Sequence, residues 1–149
     1  MQVGEICTRE VVCATAETTV AAAAKLMRQY HIGDVVVTRD ERGRRIPRGI
    51  VTDRDLVLSV LATELNPTAL TVGDIMGSDL ITACETEDLF DAVQRMRNKG
   101  VRRMPIVQED GTLVGIVSID DVIEVLAEEM NQLAHLISRE QLLEQQTRR

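Results

Sequence analysis

Two matching pairs of a hydroxyl residue and a carboxylate are the positions of this sequence best suited to bind a ligand. Thr52 and Asp55 follow a Gly-Ile-Val run, and Ser118 and Asp121 follow a second one. An apolar run followed by this pattern is typical of a strand that leads into a helix. A hydroxyl beside the free N–H groups of a helix start favours phosphate, and a carboxylate one turn later can accept from ribose hydroxyls.

A purely structural interpretation of the same motifs stays open. Ser/Thr-x-x-Asp resembles a capping box, in which the hydroxyl and the carboxylate satisfy backbone N–H groups at the helix start. Either motif taken alone is more typical of such a cap than of a ligand site.

The chain contains an internal repeat that includes both motifs. Val-Gly-Glu-Ile at residues 3–6 is matched by Val-Gly-Asp-Ile at 72–75, which lies 69 residues further along. The segment 49–56 is matched by 115–122, only 66 residues further along. The intervening loop is therefore three residues longer in the first copy, which fits a surface loop.

Each copy predicts the element order β-α-β-β-α. The first helices have apolar residues at helical spacing after Thr18 and Thr86, and the Asp110-Gly111 pair predicts a tight hairpin. The predicted strands are residues 11–13, 34–38, 46–51, 80–82, 104–108 and 113–117. We therefore predict an α+β fold of two repeats packed sheet to sheet, because each sheet needs a partner to cover it.

The last helix is predicted to continue beyond its counterpart, which covers residues 56–61. From Asp121 onward the chain has no Gly or Pro, and Leu126, Met130, Leu133 and Ile137 are spaced by 4, 3 and 4 residues. This stripe favours a dimerisation helix over one packed on its own domain. We predict fraying of residues 144–149, and a division into repeat 1 (1–66), repeat 2 (67–127) and a helical extension (128–149).

Composition excludes several classes of function. Aromatic residues are 1% of the 149, and the net charge is −7, so neither base stacking nor broad polyanion binding is expected. Cys7, Cys13 and Cys84 form no disulfide framework, and no apolar run is long enough to span a bilayer. We expect a cytoplasmic protein that binds neither nucleic acid nor membrane.

The duplicated unit resembles a tandem pair of CBS (cystathionine-β-synthase) domains. The resemblance rests on Gly-Ile-Val-Thr/Ser-x-x-Asp in both copies and on Val-Arg-Arg-Met-Pro-Ile-Val at residues 101–107. It covers residues 3 to about 125 and suggests a stand-alone Bateman module. It implies face-to-face sheets, two clefts between the repeats, adenosine-type ligands such as AMP, ATP, NAD or S-adenosylmethionine, and a disc-shaped dimer.

The resemblance also assigns residues to the two clefts, each of which combines the motif of one repeat with the first strand and pre-proline segment of the other. The first cleft is expected to contain Thr52, Arg54, Asp55, Leu80, Ile81, Arg102, Arg103 and Pro105. The second is expected to contain Val11, Val12, Ile32, Gly33, Asp34, Ser118, Asp120 and Asp121.

The two clefts differ in charge. Arg54, Arg102 and Arg103 favour a phosphate in the first, whereas the second has Asp120 in place of Arg54 and also contains Asp34. We expect AMP in the first cleft, ahead of ATP, ADP or NAD, with Asp55 on the ribose. The second should bind more weakly, take an uncharged group, or need a metal between Asp34 and a phosphate.

The resulting hypothesis is a regulatory homodimer that senses an adenine nucleotide and acts on an unidentified partner protein. The alternative is a constitutive oligomerisation module. An enzyme is not expected, because His31, His135 and the cysteines form neither a catalytic nor a metal-ligand cluster. No catalytic residue, catalytic cofactor or metal site is therefore predicted.

Overall fold

A computed structural model describes residues 1–148 and confirms the α+β repeat architecture. The first repeat consists of α1 (Val3–Ile6), β1 (Cys13–Ala14), α2 (Val20–Tyr30), β2 (Asp34–Glu41), β3 (Arg44–Thr52) and α3 (Asp53–Leu56), which continues as a π-helical turn (Val57–Leu61). The second consists of α4 (Val72–Ile75), β4 (Ala83–Cys84), α5 (Leu89–Lys99), β5 (Arg103–Val107), β6 (Leu113–Ser118) and α6 (Ile119–Thr147).

Each repeat contains one three-stranded sheet of the same topology. The first strand runs parallel to the second, and the second and third form an antiparallel hairpin. A register shift follows Val37 in the first sheet and Ile106 in the second, which are equivalent positions. The two sheets pack against each other through β3 and β6, so the predicted sheet-to-sheet arrangement is confirmed.

Several predicted element boundaries were wrong. The first strand of each sheet begins two or three residues later than predicted, and residues 11–12 and 80–81 line the clefts instead. Helix α2 is capped by Thr19 rather than Thr18, because the Thr18 hydroxyl accepts from the Thr15 N–H in the preceding turn. Helix α5 is capped by Asp88 rather than Thr86.

The two hydrophobic cores exchange their first helices. Val3 of α1 is buried in the core of the second repeat, and Val72 of α4 is buried in the core of the first. The Gly4 N–H donates to Glu85 O at 2.9 Å, and the Gly73 N–H donates to Ala16 O at 3.0 Å. The predicted division at residue 66 separates the two repeats along the sequence. Each hydrophobic core nevertheless includes a helix from the other side of that division.

Helix α6 spans 29 residues, of which only Val122 is buried. It begins at Ile119, directly after its cap Ser118, and the predicted fraying from residue 144 is wrong as far as Thr147. The Thr147 hydroxyl donates to Leu143 O at 3.0 Å, and Arg148 pairs with Glu144 at 2.7 Å. Residue 149, the end of the predicted frayed segment, lies outside the described residues. Within residues 1–148, no helix is long and apolar enough to cross a membrane.

Candidate ligand-binding clefts

Both hydroxyl–carboxylate motifs form complete capping boxes. The Thr52 N–H donates to Asp55 Oδ2 at 2.8 Å, and the Asp55 N–H donates back to Thr52 Oγ1 at 3.2 Å. Ser118 and Asp121 repeat both bonds, and the Ser118 hydroxyl also donates to Asp121 Oδ2 at 2.9 Å. The structural interpretation of these motifs therefore describes real contacts, and a ligand role needs further evidence from their surroundings.

Matching backbone hydrogen bonds fix the two motifs against the hairpins. The Asp53 N–H donates to Gly33 O at 2.9 Å, and the Ile119 N–H donates to Arg102 O at 2.8 Å. The strand register also sets Asp34 opposite Thr52 and Arg103 opposite Ser118. The residues before each hairpin are therefore held beside the helix start that follows it.

The first cleft is a cavity of about 530 Å³ between the repeats. Seven of its eight predicted residues line it: Thr52, Arg54, Asp55, Leu80, Ile81, Arg102 and Arg103. Sequence analysis missed Gly49, Ile50, Asp53, Gly77, Asp79, Gly100 and Val101. Strand alternation could have identified Ile50, because its neighbour Val51 points into the core. No sequence pattern indicated that the loop residue Asp79 would line the cleft.

Pro105 is a correction, since the structure does not place it on the wall of the first cleft. It is fully buried inside the sheet, opposite Ile116 in β6. Its neighbours Met104 and Ile106 point into the core of the second repeat. Alternation along the strand places Pro105 on the same face as Ile116, opposite the core, where it is fully buried. Among the residues of β5, only Arg103 lines the first cleft.

The second cleft is a smaller cavity of about 270 Å³. All eight predicted residues line it: Val11, Val12, Ile32, Gly33, Asp34, Ser118, Asp120 and Asp121. Thr8, Glu10, Arg103 and Ile116 were missed. Strand alternation could have identified Ile116 as it could Ile50, because the neighbouring residue Val117 points into the core.

Arg103 lines both cavities, whereas the sequence placed it in the first alone. Its Nε lies 3.0 Å from Asp34 Oδ1, and both side chains are mostly buried, with 31% and 18% exposed. Burial raises the pKa of the Asp34 carboxyl, Arg103 opposes this rise, and nearby Asp53 adds to it. Asp34 is thus already neutralised by a cation from the protein.

The other charged groups of the first cleft are more accessible. Arg102 lies 3.7 Å from Asp120, but these side chains are 75% and 73% exposed, so the pairing is weak. Asp79 pairs with Lys99. In the described part of the chain, Arg54 makes no salt bridge. Arg54 and Arg102 therefore remain available to an anion.

The cysteines and histidines lie apart from this chemistry. Burial raises the pKa of the Cys7 and Cys13 thiols, which keeps them protonated. His31 ends α2 in a left-handed conformation, and His135 is exposed on α6. Within residues 1–148, no group of three or more His, Cys, Asp or Glu side chains is placed to hold a metal ion.

Comparison with known protein families identifies the repeats. The model of the CBS domain matches twice, at residues 3–62 and 72–128. This chain belongs to the CBS domain family. The predicted tandem pair of CBS domains is confirmed, and the two cavities lie between the members of the pair.

Proteins of known sequence and of known structure align with most of this chain. An uncharacterised protein of Methanopyrus kandleri is 38% identical over 125 residues, which cover 84% of this chain and 62% of that protein. A CBS domain pair in complex with 5′-methylthioadenosine and S-adenosyl-L-methionine is 25% identical, with a TM-score of 0.75, over 87% of this chain and 98% of that chain.

Two further structures show an AMP complex and a higher assembly. A CBS domain protein from Pyrobaculum aerophilum complexed with AMP is 28% identical, with a TM-score of 0.71, over 81% of this chain and 89% of that chain. A hexameric CBS-CP12 protein from bloom-forming cyanobacteria is 29% identical, with a TM-score of 0.74, over 83% of this chain and 66% of that chain. Structural neighbours of this CBS pair thus bind adenosine compounds and form oligomers.

Proposed function

We propose that this CBS pair is a regulatory module that binds an adenine nucleotide, AMP before ATP, ADP or NAD, in the first cleft. The observation that carries the proposal is the convergence on one cavity of Arg54 and Arg102 with Asp55 and with the apolar Leu80 and Ile81. A binding site with a few convergent polar groups and an apolar wall suits a small ligand. Cations, a carboxylate and an apolar wall match phosphate, ribose and base respectively.

Each part of the nucleotide has a counterpart among these side chains. Leu80 and Ile81 flank the adenine. Asp55 uses Oδ2 for the Thr52 N–H, which leaves Oδ1 to accept from the ribose hydroxyls. The guanidinium groups of Arg54 and Arg102 contact the phosphate, whose geometry they match with paired N–H donors.

The position of the capping box supports a ligand role for Asp55 beyond its local bonds. Thr71 and Asp74 form the same box at the start of α4, with bonds of 2.9 and 3.3 Å, but they line neither cleft. A capping box by itself therefore has a structural role in this chain, which is to satisfy the backbone N–H groups at a helix start. What distinguishes Asp55 is the cavity and the arginines beside it.

The second cleft is proposed as a weaker site for phosphate compounds. It is lined by Glu10, Asp34, Asp120 and Asp121 and by Arg103, which is held by Asp34. A second anion there would meet uncompensated carboxylates. An uncharged adenosine compound suits this cleft better.

Binding is proposed to act through assembly or through a partner protein, with no bond made or broken in the ligand. Coupling requires the nucleotide to favour one arrangement of the repeats over another. The complexes of the structural neighbours with AMP and with S-adenosyl-L-methionine support binding of adenosine compounds. The hexameric neighbour supports self-association as the alternative, ligand-independent function.

A homodimer is the proposed unit of assembly. Val57, Leu61 and Ile123 expose about half or more of their surface on the helices that follow the two motifs, and Met130 and Leu133 do so further along α6. Exposed apolar side chains grouped on helices are typical of interaction sites. A second copy of the chain is the proposed occupant, because closed homo-oligomers are the common assembly of soluble proteins.

Calorimetry on ligand-free protein tests nucleotide binding. AMP, ADP, ATP, NAD and S-adenosylmethionine are titrated into the wild type, Asp55→Asn, Asp121→Asn and Asp74→Asn. Saturation near one AMP per chain, lost in Asp55→Asn and kept in the other two variants, is the expected result. Asp74→Asn is the matched control, because it alters the same capping box outside the clefts. Absence of both heat and thermal stabilisation in the wild type would favour the scaffold function.

A further inference from the structure

Arg103 lies where the two clefts meet, and its salt bridge with Asp34 holds it on the side of the second cleft. It is the first residue of β5 and contributes to the lining of both cavities. A Cβ placed on Gly33 would lie 3.4 Å from Arg103 Nη2 and 3.1 Å from Asp53 Oδ2. The absence of a side chain at Gly33 thus leaves room for the guanidinium beside Asp34 and Asp53.

We propose that Asp34 withholds Arg103 from a phosphate bound in the first cleft, so that Asp34 and the phosphate compete for one guanidinium. This inference rests on the proposed function, because it requires a nucleotide in that cleft. It makes Asp34, a residue of the second cleft, a positioning residue that sets the phosphate affinity of the first.

The competition follows from the burial of the pair. Asp34 has only 18% of its side chain exposed, so it cannot be fully solvated by water when Arg103 turns away. Removing one partner of a buried ion pair leaves an uncompensated charge, which is strongly unfavourable. A phosphate must therefore overcome the attraction of Asp34 before it gains the donors of Arg103.

The same arrangement couples the two clefts. Any group that neutralises Asp34 from the second cleft releases Arg103 toward the first. Thermodynamic linkage then requires a phosphate in the first cleft to increase the affinity of the second for that group by the same factor.

Substitution of Asp34 tests the inference. Asp34→Asn keeps the size of the side chain, removes its negative charge and so weakens its hold on Arg103. We expect AMP to bind this variant about fivefold or more tightly than the wild type, a factor typical of coupled sites. Adenosine, which lacks the phosphate, should bind both proteins equally. Asp34→Ala repeats the test in a second variant, and thermal unfolding verifies that each is folded.

Two controls separate release of Arg103 from a general change in charge. Asp40→Asn removes a carboxylate from the same strand, where Asp40 lines neither cleft and has no salt bridge among the described residues, and should leave AMP affinity unchanged. In an Arg103→Gln background, Asp34→Asn should no longer tighten AMP binding. Equal tightening in that background, or equal tightening for adenosine, would overturn the inference.

The failure of this inference differs from failure of the proposed function. If the wild type binds AMP and Asp34→Asn binds it no more tightly, the competition is refuted while nucleotide binding stands. If the wild type binds neither AMP nor adenosine, the proposed function and this inference are refuted together.

Discussion

Asp34 and Arg103 occupy equivalent positions in the two repeats and form a salt bridge with each other, with Nε and Oδ1 3.0 Å apart. Gly4 and Gly73 are a second equivalent pair, and each contacts the other repeat at matching positions, Glu85 and Ala16. Such reciprocal contacts are those of an approximate two-fold axis. Position 34 therefore meets its own counterpart across the axis.

This relationship explains why the clefts differ. Two identical charged residues that meet at an axis would repel each other, whereas a duplicated chain can place opposite charges there. The motif position held by Arg54 in the first repeat is likewise Asp120 in the second. Among the described residues, sequence divergence between the copies thus separates a cleft lined by three arginines and three aspartates from one lined by one arginine and four carboxylates.

The pH dependence of stability should reveal the environment of Asp34. Its pKa is raised above the usual 3.8 by burial, so the folded state favours the protonated carboxyl. That contribution to stability is complete below pH 3.8 and is lost as the pH rises through the raised pKa. The free energy of unfolding of the wild type should therefore fall relative to that of Asp34→Asn over this range. Denaturant unfolding at a series of pH values measures the difference, and a constant difference would contradict the assignment.

Arg102→Gln should weaken AMP binding about tenfold and leave adenosine binding unchanged, because a hydrogen bond to a charged group contributes about 1.5–3 kcal/mol. Calorimetry with both ligands measures the effect. Arg39→Gln is the matched control, since Arg39 pairs with Glu41 on the first hairpin and lines neither cleft. Equal losses for AMP and adenosine would show that Arg102 does not contact the phosphate.

Gly4→Ala and Gly73→Ala should each destabilise the fold by about 1–3 kcal/mol through overpacking. An added Cβ would lie 2.6 Å from Glu85 O at Gly4 and 2.7 Å from Ala16 O at Gly73, and neither backbone oxygen can move freely. Gly77→Ala is the control, because no atom lies within 4 Å of a Cβ there. Denaturant unfolding compares the three variants, and stability equal to that of Gly77→Ala would contradict the exchanged packing.

Leu133→Glu should weaken self-association if α6 contributes to the dimer. Leu133 and Ile137 lie on the exposed apolar stripe of α6, and a carboxylate buried between two helices would be unpaired. Gln132→Glu adds the same charge on a different face of the helix and should leave the dimer intact. Sedimentation equilibrium gives the dissociation constants, and equal effects of the two substitutions would exclude the stripe from the interface.

Local sequence patterns predicted most of the elements, and the resemblance to tandem CBS domains assigned half of the residues that line the first cleft and two-thirds of those that line the second. The repeat, the hairpin at Asp110-Gly111 and the two motifs rest on residues within a few positions of each other, where periodicity and capping operate. One boundary error arose where two adjacent residues, Thr18 and Thr19, could cap the same helix. Only hydrogen bonding in the folded chain selects between them.

The sequence by itself determined the duplication, the α+β class and the residue types at the two motifs, because these depend on short-range spacing. Tertiary structure decided that α1 and α4 exchange cores, that Pro105 is buried within the sheet and not on the wall of the first cleft, and that Arg103 is bound to Asp34. These features depend on contacts between distant parts of the chain, where shape, burial and charge select the partners. The final distribution of charge between the clefts is therefore a property of the assembled repeats.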